Sequence, residues 1–326
     1  VTYWKENNFK NKKLKILITG CGGDIGQSIG KILLKSNFIN KLYGIDISNK
    51  NAGQFVYPNF SLGISVKHPD YLKNLELFII KYNIDLVIPI SEPELRFFSK
   101  KNILDKIGNA NMIIASRLSL EIGFDKFKTA EFLKNQNLPF PETFLANTSI
   151  NIDKFPVILK SRTGSGSKDI YRINSMEEFL FHTKKGINDY IVQEFINDKN
   201  GEFTCGLYRS RKGEIRTLIF KRELTGGYSG YGEIIENNEI NSLLETLAVK
   251  LNLIGSINVQ LRINDNLPKI FEINPRFSST VLFRHLFGFK DLEWSIKDLY
   301  GEKLDSYSLP KVGSKFYKGF NEYIKV

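Results

Sequence analysis

From Leu14 onward, short apolar runs alternate with stretches whose apolar residues recur at helical spacing. Leu14 to Thr19 has the length and content of a strand, and Gln27 to Lys35 sets Ile29, Ile32 and Leu33 on one helical face. Leu42 to Ile47 reads as a second strand, Tyr71 to Tyr82 as an amphipathic helix, and Asp85 to Ile90 as a strand stopped by Pro89 and Ser91. Strands that alternate with helices predict βαβ units and an open parallel sheet, so roughly residues 12–112 read as an α/β domain.

The texture then changes. Asp125 to Asn135 has helical periodicity and ends at the prolines of NLPFPET, residues 137–143. Pro156 to Lys160 is a strand running into Ser161-Arg162-Thr163-Gly164-Ser165-Gly166-Ser167, and Met176 to Thr183 is helical. Beyond these, Tyr190–Phe195, Glu202–Arg209, Ile215–Arg222, Ser256–Ile263 and Lys269–Ile273 read as antiparallel strands, with a helix near Glu239 to Leu251. Turn sequences such as Arg211-Lys212-Gly213 and Asn264-Asp265-Asn266 separate them. The second half is therefore expected to be α+β, with no internal repeat and no low-complexity linker.

Composition narrows the class. The 326 residues suffice for two or three domains. No apolar run approaches the ~18 residues of a membrane span, and the polar, basic start VTYWKENNFKNKKLKI lacks the apolar core of a secretory signal. Cys21 and Cys205 are too few for a disulfide framework, and His68, His182 and His285 are too scattered for zinc. A soluble, cytoplasmic protein with no membrane partner is expected. The net charge of +11 raises a nucleic-acid reading, but the lysines are spread along the chain and no finger, homeodomain or RRM signature is present. Small anionic ligands fit better than nucleic acid.

Chemistry concentrates in Gly255 to Thr280, GSINVQLRINDNLPKIFEINPRFSST. Read as a hairpin, it carries Gln260 on one strand and Glu272 and Asn274 on the return. Residues two apart in a strand share a face, so three oxygen-bearing side chains form a cradle suited to Mg²⁺, with Arg276 placed to grip a phosphoryl group. An amphipathic hairpin with a solvated polar face would explain the same pattern.

The spacing N-V-Q followed by E-I-N-P-R-F-S resembles the metal-binding hairpin of ATP-grasp enzymes, especially the carbamoyl phosphate synthase large subunit and its single-copy relatives. The resemblance covers about residues 14–300. It implies that Gln260, Glu272 and Asn274 hold two Mg²⁺ ions, with Mn²⁺ as a substitute, against ATP phosphates, while Arg276 assists phosphoryl transfer. Asp125-Lys126-Phe127-Lys128 resembles a segment whose basic residue, Lys126 or Lys128, touches phosphate. FPVILKSRTGSGSKDI resembles the strand and glycine-rich lid loop, with Lys160 at the charged position and Gly164, Ser165, Gly166 and Ser167 in the loop. YIVQEFI resembles the hinge that binds adenine, through Glu194, Phe195 and Ile196, and Glu202 matches the acid that binds ribose. In Lys221 to Gly232, KRELTGGYSGYG, a mobile loop is expected, with Lys221 and Arg222 as candidates to meet the γ-phosphate or an anionic substrate. Arg284 and His285 read as a surface pair.

A rival reading uses Thr19-Gly20, Gly23 and Gly26 with Asp46, which fit a dinucleotide fingerprint. A short-chain dehydrogenase or epimerase also needs Tyr-x-x-x-Lys on a helix. Tyr208 with Lys212 falls at a strand-to-turn junction, and Tyr307 with Lys311 spans Pro310. The glycines are therefore read as a structural turn bordering an acceptor cleft, with Glu94 as a substrate-site candidate. By resemblance, residues 1–112 form a Rossmann-like domain preceding the ATP-grasp domain of residues 113–300, whose lid spans about 145–190, and residues 301–326 form a tail. The implied activity is an ATP-dependent carboxylate–amine ligase with an acyl-phosphate intermediate, acting on small molecules, with Arg276, Lys160 and Lys221 in catalytic roles. A degenerate ATP-binding regulatory protein is the alternative. The chain has room for one synthetase copy, so carbamoyl phosphate synthesis itself is not expected. A homodimer is compatible with this reading, although no sequence feature specifies it.

Overall fold

The computed structural model describes residues 13–147, 152–164, 169–184, 189–197, 199–319 and 321–324. The first part runs β1 (Leu14–Thr19), α1 (Asp24–Leu33), β2 (Ile39–Asp46), α2 (Gly53–Val56), β3 (Asn59–Leu62), α3 (Tyr71–Tyr82), β4 (Leu86–Pro89), α4 (Glu92–Lys101), β5 (Lys106–Ile107), β6 (Ala110–Met112) and α5 (Arg117–Gly123). Its sheet has the order β3-β2-β1-β4-β6-β5, parallel except for the β5–β6 hairpin. The central strand β4 is buried at every position because helices cover both faces, which is why it reads as a continuous apolar run. Strand order reverses at β1 and β4, so the segments leaving Thr19 and Pro89 open a crevice.

The glycine-rich turn is built for packing. Gly20 has φ of +66°, a conformation that disfavours side chains, and a Cβ on Gly26 would stand 2.6 Å from Cys21 Cα. The Asp46 carboxylate caps this turn, accepting from the backbone N–H of Gly22 at 2.8 Å and of Ser48 at 3.1 Å. The residue that a dinucleotide site would use for ribose is thus engaged in holding the turn.

Next come α6 (Lys126–Asn135), β7 (Thr143–Leu145), β8 (Val157–Ser161), β9 (Ile170–Ile173), α7 (Met176–Lys184) and β10 (Tyr190–Glu194). The Asp125 side chain caps α6, accepting from Phe127 N at 3.0 Å and Lys128 N at 3.1 Å. The four strands pair antiparallel in the order β7-β10-β8-β9 around a small core of Val157, Leu159, Ile173, Phe179 and Val192.

The last part comprises β11 (Glu202–Arg209), β12 (Ile215–Thr225), β13 (Tyr228–Ile235), α8 (Asn238–Lys250), β14 (Gly255–Asn264), β15 (Leu267–Asn274), α9 (Val281–Leu286), α10 (Asp291–Leu299) and β16 (Lys315–Tyr317). The sheet order is β15-β14-β11-β12-β13-β16. Phe203, Cys205, Val259 and Leu261 pack into the same core as Leu244 and Leu247 of α8. Strand alternation sends Thr204, Asn258 and Gln260 to the other face.

Two features depart from the sequence reading. Lys221 to Gly232 is a hairpin, not a loop: β12 continues to Thr225, and Gly226 and Gly227 take the positive φ values of the turn, +58° and +85°. The expected tail supplies β16, which pairs with β13. Beyond it, Lys318 Nζ pairs with Asp24 at the start of α1, and Tyr323 stacks on Phe55 at 5.0 Å. Ile29, Ile32 and Leu33 of α1 also share a core with Val281, Leu292 and Ile296, so the first sheet and the last helices bury their apolar faces together. Among the described residues, no helix is long and apolar enough to cross a membrane.

Candidate active site

A cleft of about 1200 Å³ lies where the crevice of the first sheet faces the two antiparallel sheets. Gln260 on β14 stands directly across from Glu272 on β15, and Asn258 across from Asn274. Gln260, Glu272 and Asn274 all line the cleft, with Asn274 Nδ2 donating to Glu272 Oε1 at 3.3 Å. Among the described residues, no group of three or more His, Cys, Asp or Glu is placed to hold a metal ion. The donor set here is instead one carboxylate and two amide oxygens, hard ligands that suit Mg²⁺ when phosphate oxygens complete the shell.

Cationic groups surround this set. Lys160 on β8 is 5% exposed and donates to Gln193 Oε1 at 2.8 Å. Burial pushes its ammonium down to about 8, partly opposed by the Glu272 charge. Arg276 reaches the cleft while its Nη1 holds Phe277 O at 3.0 Å. Its guanidinium is lowered by burial and supported by Glu92 and Glu272. Lys126, in the first turn of α6, donates to Gly164 O at 2.6 Å and lines the cleft. Lys128 is exposed and is not a lining residue, so of the two sequence candidates the structure brings only Lys126 to the site. Gly164 is also at the wall, whereas Ser165, Gly166 and Ser167 lie outside the described residues.

The expected adenine segment is anchored from behind. Glu194 pairs with Lys269 Nζ at 2.7 Å, and Ile196 O accepts from Arg262 Nη1 at 2.7 Å. Glu194 and Ile196 line the cleft, but Phe195 does not, its ring lying 4.6 Å from the Arg172 guanidinium. Glu202 lines the cleft with both oxygens engaged: Arg222 Nη2 donates to one and Arg262 Nη2 to the other, each at 2.6 Å. Burial alone would raise this carboxyl, yet the two guanidinium groups hold it below its ordinary value. A ribose hydroxyl would have to share an oxygen already bound to arginine.

Lys221 requires correction. It is exposed and absent from the cleft wall, because the residue beside it, Arg222, takes the inward position on β12. Arg284 also departs from the surface reading, being 0% exposed and paired with Asp291 at 3.2 Å. Its neighbour His285 is half-buried, its Nδ1 finds no partner among the described residues, and burial lowers its pKa. Sequence reasoning also missed Arg262, Asn258 and Thr204, although the period of two that groups Glu272 with Asn274 extends from Gln260 to its neighbours at 258 and 262.

At the crevice end, Glu94 is 9% exposed and accepts from three hydroxyls: Thr19 at 3.0 Å, Tyr71 at 2.6 Å and Ser91 at 2.5 Å. Burial raises its carboxyl against those hydrogen bonds. Ile25, Ile45, Ile64, Val66 and Ile90 give this end of the cleft an apolar wall.

Residues 124–280 match a family model described as an ATP-grasp domain. The chain is 24% identical over 185 residues to the carbamoyl phosphate synthase large chain of Archaeoglobus fulgidus, a match covering 51% of this chain and 17% of the relative. It is 21% identical over 252 residues to the C-terminal section of that enzyme's large chain in Methanocaldococcus jannaschii, covering 69% of this chain and 41% of the relative. The chain thus spans less than half the length of either relative. Its fold is similar to that of N5-carboxyaminoimidazole synthetase from Staphylococcus aureus, solved with ADP, with a TM-score of 0.72 and 19% identity over 91% of this chain and 80% of that one.

Proposed function

We propose that this chain, whose residues 124–280 match a model of an ATP-grasp domain, is an ATP-dependent carboxylate–amine ligase that releases ADP and phosphate. The observation that carries the reading is the convergence of Lys160, Gln260, Glu272, Asn274 and Arg276 on one cleft. ATP would lie with adenine near Glu194 and Ile196 and its phosphates toward Glu272. In this division residues 1–112 precede the ATP-grasp domain of residues 113–300, with its lid at about 145–190, and a cytoplasmic setting fits ATP as substrate.

A substrate carboxylate oxygen attacks the γ-phosphorus. The bond to the bridging oxygen breaks, and ADP leaves with its electron pair. The amine then attacks the carbonyl carbon of the acyl phosphate, the C–N bond forms as the C–O bond breaks, phosphate departs and nitrogen gives up a proton. Lys160, Lys126 and Arg276 counter charge on the transferred group, which is stabilisation by fixed positioning and not by covalent chemistry. Two Mg²⁺ held by Gln260, Glu272 and Asn274, or Mn²⁺ in their place, would neutralise the phosphate oxygens when bound. Burial of the reacting groups limits hydrolysis of the acyl phosphate.

The test is ADP release from Mg-ATP across a panel of small carboxylates and amines, with Glu272→Gln alongside. The variant should keep its circular dichroism spectrum and lose turnover by about a hundredfold or more. Wild-type turnover in Glu272→Gln would remove the metal assignment.

A further inference from the structure

Asn258 is 2% exposed and lines the cleft from β14, across from Asn274. Its Oδ1 accepts from Thr204 Oγ1 at 2.9 Å and from Arg284 Nη2. A guanidinium has donors and no acceptor, so the amide cannot be turned round at this site. The oxygen must face Arg284, and Nδ2 must face the other way. Among the described residues, nothing accepts from that nitrogen.

Arg284 is itself held firmly. Its Nη1 donates to Asp291 Oδ2 at 3.2 Å, and the same oxygen accepts from Ser256 Oγ at 2.7 Å. Arg284 and Asp291 are both 0% exposed. Gly206, across from Asn258 on β11, makes room for the guanidinium, since a Cβ there would stand 3.0 Å from Arg284 Nε. A buried ion pair costs desolvation and is not by itself evidence of a stabilising design. Here its definite effect is to fix which way one amide points.

The position along β14 says what the amide would meet. Arg262 sits at one end, bound to Ile196 O and Glu202. Gln260 follows, opposite Glu272, and then Asn258, opposite Asn274, which stands two residues before Arg276. The order runs from the expected adenine end through the metal donors to the end where the transferred group belongs. Building on the nucleotide orientation of the proposed ligase, we propose that Asn258 offers its amide N–H groups to the γ-phosphoryl oxygens, and that Arg284 is the positioning residue that holds it there. A paired guanidinium on the same face of the sheet thereby sets hydrogen-bond polarity in the cleft.

The experiment compares, by titration calorimetry with Mg²⁺, binding of ADP and of the non-hydrolysable β,γ-imido analogue of ATP. Asn258→Asp keeps the contact with Arg284 but replaces the donors with an acceptor. It should weaken the analogue by about tenfold or more while leaving ADP within about twofold. Arg284→Met should lower the analogue-to-ADP affinity ratio in the same sense, and Arg284→Lys, which restores a donor, should recover most of it. Equal loss of both ligands in Asn258→Asp would mean general damage and would overturn the proposal, as would unchanged binding of both. Failure of the wild-type protein to bind either nucleotide would instead overturn the ligase reading beneath it.

Discussion

Arg222 and Gln260 meet in the cleft through a 2.9 Å hydrogen bond from Arg222 Nη2 to Gln260 Oε1. The same nitrogen stands 2.6 Å from Glu202 Oε1, so one guanidinium orients both the acid expected at the ribose and an amide expected at the metal. The oxygen of Gln260, rather than its NH₂, is thereby turned toward Arg222. A bare divalent cation arriving at Gln260 would meet the Arg222 charge, and phosphate oxygens would offset that repulsion.

Glu202 is the hub of this arrangement, with 11% side-chain exposure and two arginine partners. Removing its charge leaves Arg222 and Arg262 uncompensated, so Glu202→Gln should cost about 3 kcal/mol at neutral pH by chemical denaturation. The folded-state pKa lies below the ordinary 4.5, so the stabilisation is present above 4.5 and is lost as pH falls through the lower, folded value. The gap between wild type and variant should therefore narrow in acid. A gap that stays constant there would show that the charge is not its source.

Lys160 predicts a pH dependence of the opposite kind. Its ammonium titrates near 8, so it is charged at neutral pH and becomes neutral in mild base. Affinity for Mg-ADP should fall by up to about tenfold as pH rises from about 7 to about 9. Lys160→Arg, which retains its charge throughout, should flatten that profile in calorimetric titrations.

The inward and outward lysines should separate cleanly. Lys126→Ala removes a cation that reaches the Gly164 carbonyl at the cleft wall and should weaken Mg-ADP by about tenfold. Lys128→Ala and Lys221→Ala alter exposed side chains outside the wall and should bind within about twofold of wild type. Nucleotide titrations of the three variants check this.

The parallel sheet was legible because β1, α1 and β4 carry strong local patterns, and α3 matches its expected bounds from Tyr71 to Tyr82. The hairpin bearing Gln260, Glu272 and Asn274 was legible because a period of two needs only local sequence. Arg222 and Lys221 are adjacent and chemically alike, and only the pairing of Glu202 with Arg222 across β11 and β12 decides which of them faces the cleft. Arg284 was misread for a similar reason: its burial depends on Asp291 and on the missing side chain of Gly206, which local pattern does not connect. The turn at Gly226 and Gly227 looked like a loop because its composition is turn-like, while the outer edge of β13 is held by β16, a partner distant in the chain.

The return of the chain from β16 through Lys318 and Tyr323 to α1 and α2 works as a clasp across the mouth of the crevice. Together with the core shared by α1, α9 and α10, it fastens the wall that would receive the acceptor to the wall that would hold the phosphates. Two halves so fastened do not swing apart like the covers of a book. Admission and release of ligands would then fall to the small sheet of β7 to β10, whose described residues pack around a core of their own.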